Sequence, residues 1–177
     1  MRSFLFNSFL LILLPVCSFG QGNLETRKLF DGKVELMVPA EFKPMTVEVM
    51  DQKYPNSGQQ PDVVLTDDNA EVNIVASRTK QLLQASQMEA YKDFMIASLK
   101  KSHPDAQWLD SGVKTINGKR VGYFKMLSNA ADQKVFVYYF FTDMDGRALI
   151  MTFNCTEKLL PAWKETADNI VSSLKVK

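Results

Sequence analysis

Residues 134–142 run Lys-Val-Phe-Val-Tyr-Tyr-Phe-Phe-Thr, and no other segment constrains the fold as much. A strand sends successive side chains to opposite faces. Val135, Val137, Tyr139 and Phe141 therefore share one face, and Phe136, Tyr138 and Phe140 share the other. Both faces are apolar. Such a strand belongs inside a sheet, covered on both faces or covered on one and adhesive on the other.

The neighbouring segments supply the rest of that sheet. Gly112–Ile116 and Arg120–Met126 flank Asn117-Gly118, a strong hairpin signal because a two-residue turn needs positive φ at both central positions. Asp143-Met144-Asp145-Gly146 turns the aromatic strand into Ala148–Cys155. In the first half, residues 28–30 and 34–38 read as strands around Asp31-Gly32, with Pro39 closing the second and residues 21–25 forming a loose lead-in. Val63–Leu65 and Val72–Ala76 form another pair, turning through Asp67-Asp68-Asn69. Residues 55–61 are a loop by composition, and residues 46–54 form a short helix.

Two longer helices complete the pattern. Residues 86–101 carry Met88, Tyr91, Met95 and Leu99 along one side, and Ser86 with Glu89 has capping-box spacing. Lys100, Lys101 and His103 follow at the end, where cations complement the helix dipole. The terminal helix carries Leu160, Trp163, Ala167, Ile170 and Leu174, with Pro161 in its first turn and Thr156 as its cap. Strand runs joined by hairpins, with helices between them, predict an α+β fold: an antiparallel β-sheet flanked by helices.

The first twenty residues bear on location. Arg2 precedes an apolar run from Phe4 to Val16, and Ser18-Phe19-Gly20 has the small residues of a cleavage site. This is the layout of a secretory signal peptide, and its apolar core is too short to span a bilayer. The expected division is a signal peptide at 1–20 and a single domain at 21–177, exported to the periplasm or secreted. Leu14-Pro15-Val16-Cys17 competes as a partial lipobox, which would make Cys17 a lipid anchor and the only route to the membrane.

A short hairpin ending in Val34–Phe42 opens the domain, and the strand Val135–Phe141 and a last helix running through Asn169–Lys177 close it. In this order of elements the chain resembles the PsbP-like superfamily. That group includes the photosystem extrinsic protein, a Ran-binding nuclear factor and exported bacterial DcrB-like lipoproteins. The resemblance covers nearly all of residues 21–177 and implies an α/β/α sandwich used as a binding or assembly module. It transfers no functional residue to a numbered position, and fold kinship is only an associational warrant for function.

The chemistry-bearing residues are sparse. With 21 Lys+Arg against 20 Asp+Glu, and Arg2 inside the leader, the charges balance. A balanced surface argues against nucleic acid, whose binding depends on clustered cations. Cys155 is the only thiol beyond the leader and His103 the only histidine, so no disulfide forms within the domain and a Cys/His pair has one possible composition. Asp143 and Asp145 begin like a calcium loop but lack the further oxygen ligands and distal Glu. Asp67 and Asp68 would join them only if the fold brought the two turns together. No glycine-rich phosphate loop or nucleophile elbow is present, so no cofactor is expected.

The expected function is that of an exported, non-catalytic envelope module binding another envelope protein or a small apolar ligand. Tyr138, Tyr139 and Phe140 are its candidate binding surface. The alternatives are an envelope hydrolase or metal-binding protein using the turn carboxylates, and a lipid-anchored structural protein. Met45, Met50, Met88, Met95, Met126, Met144 and Met151 fit ordinary core filling better than an adaptable binding surface.

Overall fold

The computed structural model describes residues 23–55, 60–130 and 133–177. The leader at 1–20, Cys17 and part of the 55–61 loop lie outside the described residues. Ten strands and three helices follow in order: β1 Leu24–Leu29, β2 Val34–Pro39, β3 Lys43–Pro44, α1 Val47–Lys53, β4 Val63–Thr66, β5 Val72–Leu82, α2 Met88–Ser102, β6 Gln107–Ile116, β7 Lys119–Asn129, β8 Lys134–Met144, β9 Arg147–Thr156, α3 Leu160–Ser172 and β10 Lys175–Val176.

Seven strands form one antiparallel sheet in the order β3-β4-β5-β9-β8-β7-β6. The aromatic strand β8 lies inside it, between β9 and β7. One face carries Phe136, Tyr138, Phe140, Met151, Phe153 and Ile74, all buried beneath α3 and a second, three-stranded sheet, β1-β2-β10. The other carries Phe124, Met126, Phe141 and Ala148, packed beneath Met88 and Tyr91 of α2. The fold class is therefore α+β, with helices on both faces of an antiparallel sheet as expected.

Local chemistry accounts for the turns. Asn117 and Gly118 have φ of +48° and +84°, and Asp145 and Gly146 have +52° and +73°. These left-handed pairs match the right-handed twist of the strands they join. Thr46 caps α1 by accepting a hydrogen bond from Val49 N.

The structure corrects several boundaries. Residues 24 and 25 belong to β1, and Phe30, placed in a strand from sequence, is a turn residue with φ of +53°. Strand β5 runs six residues past Ala76, because β9 lies beside it and pairs as far as Leu82 with Arg147. Helix α2 begins at Met88 after a 3-10 turn at Ala85–Gln87, where Gln84 N donates to Gln87 Oε1. Ser86 and Glu89 therefore form no capping box, and Glu89 instead binds Lys92 Nζ at 2.9 Å. Thr156 does not cap α3: it ends β9, and the cap position falls on Leu159 without a side-chain hydrogen bond. Leu174, assigned to the last helix from sequence, lies beyond it and is buried. The following Lys175–Val176 then pairs with Glu35 and Val34 of β2, closing the small sheet with the end of the chain.

Candidate functional site

Alternation along β8 distributes the three candidate surface residues between two faces. Tyr138 and Phe140 point into the α3 side and are 1% and 0% exposed. Tyr139 points to the opposite face and is half-buried. The three therefore form no common surface, because neighbours in a strand cannot share a face. Along β8 both alternatives for the aromatic strand are realised. Phe141 is sealed under α2, while Val137 and Tyr139 remain partly exposed.

Among the concave regions of the described residues, one lies against Tyr139 and another against Tyr138. On the α2 side, α2 packs chiefly over β6 and β7, leaving a trough of about 320 Å³ over β5, β9 and β8. Cross-strand register builds its floor: Val75, Thr152 and Tyr139 form one row, and Asn154 and Val137 the next. Tyr54, just past α1, supplies a wall. Burial raises the Tyr139 phenol above its usual value, with a smaller contribution from Tyr54 in the same direction. Among the described residues the lining contains no charged side chain. Asn154 is anchored from the neighbouring strand, since Asn73 Nδ2 donates to its Oδ1 at 3.0 Å while Thr66 Oγ1 donates to Asn73 Oδ1 at 2.8 Å.

On the opposite face, a cleft of about 330 Å³ lies between α3 and the β6–β8 side of the sheet. Asp110, Lys125 and Tyr138 are successive cross-strand neighbours there. Lys114 Nζ donates to Tyr138 Oη at 3.2 Å, and Lys125 Nζ stands 4.4 Å from the Tyr138 ring centre. The Tyr138 phenol is raised, chiefly by burial and then by Asp168, Tyr123 and Asp110. Gly112 leaves room for the Tyr123 ring, which would stand 3.1 Å from any Cβ placed there.

The turn carboxylates do not assemble. Asp143 pairs with Lys119 at 3.2 Å and Asp145 with Lys33 at 2.6 Å. Asp67 accepts Glu71 N and Val72 N, and Asp68 pairs with Lys43 at 2.9 Å. The two turns sit at opposite ends of β5, roughly 30 Å apart at the rise of a strand. Among the described residues no group of three or more His, Cys, Asp or Glu comes together to hold a metal. His103 sits at the end of α2, its Nδ1 2.9 Å from Ser102 Oγ.

Cys155 is fully buried in the core, and burial pushes its thiol up to about 12. Folding favours the neutral thiol, so this contribution to stability is complete below the ordinary value of 9.0 and is lost as pH rises toward 12. A thiol-reactive dye at pH 8 is expected to leave the native protein unlabelled and to label one site per chain, in the protein lacking its leader, once denaturant unfolds it. Rapid native labelling would show that the β9 core opens to solvent.

No protein-family model matches the chain, and no curated protein matches it. Solved structures do. The solution structure of cyanobacterial PsbP (CyanoP) from Synechocystis sp. PCC 6803 is 13% identical and covers 93% of this chain and 99% of its own, with a TM-score of 0.60. The fold is PsbP-like. LpqN, described as involved in cell envelope biogenesis of Mycobacterium tuberculosis, is 14% identical over 88% of this chain and 92% of its own, with a TM-score of 0.56. A protein from Bacteroides thetaiotaomicron VPI-5482 is 10% identical with a TM-score of 0.57, and this chain spans about half its length. In this fold the aromatic strand β8 is an interior strand, next to the central β9.

The cleft residues Lys114, Lys125, Lys164 and Asp168 were not singled out from sequence. Pairing across the sheet is what sets Lys125 beside Tyr138. The trough residues Ser77 and Thr152 had no sequence signal beyond being polar positions in apolar strands.

Proposed function

We propose that this chain is an exported, non-catalytic accessory domain of the cell envelope that binds a partner protein through the trough over β5, β9 and β8. One observation carries this reading: α2 roofs only part of its sheet face. Beside it, Val75, Ser77, Val137, Tyr139, Ile150, Thr152 and Asn154 stay half-exposed around a continuous depression. Aliphatic floor groups interleaved with hydroxyl and amide groups suit an uncharged, extended polypeptide segment, whose side chains and backbone need both. Export is supported by the leader-like residues 1–20 and by the structural likeness to LpqN.

Site-specific photocrosslinking in the native envelope tests the surface. A photoreactive side chain at Thr152 is expected to give a discrete protein adduct, and one at exposed Glu165 on α3 none. No adduct at Thr152, or the same adduct from both positions, would remove the trough as the contact surface. Mass spectrometry of the mature N-terminus addresses export: a chain beginning at Gln21 supports cleavage of the leader, and one beginning at a lipidated Cys17 supports the anchored form.

A further inference from the structure

The cleft against α3 differs in chemistry from the trough. Its floor is apolar, formed by Phe136, Leu160 and Ala167, and Leu109 stands at the mouth with 43% exposure. Lys125 and Lys164 line it, and Lys114 lies behind Tyr138. Against these three ammonium groups stand two carboxylates. Asp168 accepts from Lys125 Nζ at 2.7 Å, and Asp110 accepts a hydrogen bond from the Tyr123 hydroxyl. Among the described residues, no carboxylate lies within ion-pair distance of Lys114 or Lys164. Lys114 is half-buried, held by the Tyr138 hydroxyl and by the face of Tyr123 at 5.0 Å. Removal from water makes that cation costly; Asp168 and Asp110 offset part of the cost, and Lys125 nearby adds to it.

A concave site with an apolar floor and cations at its edge takes a ligand with the same two parts. We propose that this cleft binds an aliphatic anion, its tail on Phe136, Leu160 and Ala167 and its carboxylate or phosphate between Lys125 and Lys164. The anion supplies the negative charge that the cluster lacks. The site lies across the sheet from the trough, so either can fail while the other stands.

The mature protein with labelled Leu and Ala methyl groups provides the test. Decanoate and decyl phosphate serve as anionic probes, with decanol and decyltrimethylammonium as neutral and cationic controls. Both anions are expected to shift the Leu109, Leu160 and Ala167 methyl resonances saturably. Lys164→Glu, a change at an exposed position that leaves the core intact, is expected to weaken them by about tenfold. Tighter binding of decanoate points to a free fatty carboxylate and tighter binding of decyl phosphate to a phospholipid-type headgroup, and both uphold the site. Cleft methyls that stay unmoved, decanol binding as tightly as the anions, or Lys164→Glu binding like the parent protein would overturn it.

Discussion

Gly122→Val is expected to lower the free energy of unfolding by about 3 kcal/mol, measured by denaturant titration. Gly122 pairs directly with Phe141 across β7 and β8, and the ring lies over the glycine. A Cβ at position 122 would stand 2.5 Å from Phe141 Cζ and nearer still to Cε2. The ring has no room to retreat, because Phe141 is fully buried with Tyr91 5.4 Å and Phe124 6.2 Å from its centre. Overpacking there displaces α2 as well as the strand. A double-mutant cycle with Phe141→Leu isolates the contact. The two changes should couple favourably by at least about 1 kcal/mol, since the smaller side chain vacates the space the valine needs. Simple additivity would mean that Phe141 does not cover the glycine.

Phe140→Ala and Tyr139→Ala, adjacent in sequence, should differ sharply. Phe140 is 0% exposed in the main core, so its truncation leaves a cavity beneath α3 and costs about 4 kcal/mol. Tyr139 is half-buried at the edge of the trough, where solvent fills the vacated space, so its truncation costs about 1–2 kcal/mol even though it stacks on Phe124 at 4.6 Å. Unfolding midpoints at constant m-value measure the contrast. Equal losses would place Tyr139 in a closed core and leave the proposed partner surface without its depression.

These adjacent residues also show how far the sequence reaches. The period-two pattern of β8 assigned Tyr139 to one face and Tyr138 and Phe140 to the other, and called for an interior strand. It did not say which face stays partly open, because that depends on where α2 lands, a segment some forty residues earlier. The expected exposure of Tyr138 fails for the same reason: α3 and the small sheet cover its face, and the strand itself contains no record of them. Met45, Met88, Met126, Met144 and Met151 are buried, in keeping with core filling.

What the chain determined by itself is local. Asn117-Gly118 and Asp145-Gly146 reverse it because those residues tolerate positive φ, and the helices form where apolar residues recur once per turn. Alternation within each strand then fixes which side chains face together. Only the tertiary structure decided the order of strands, the insertion of β9 beside β5, and the return of Lys175–Val176 to β2. That order carries the two acidic turns to opposite ends of the sheet and sets Lys114 against the Tyr138 hydroxyl, 24 residues away in sequence. Backbone preference acts over a few residues, whereas lateral pairing is selected by the packing of remote segments, so the turns were written in the sequence and the clefts were not.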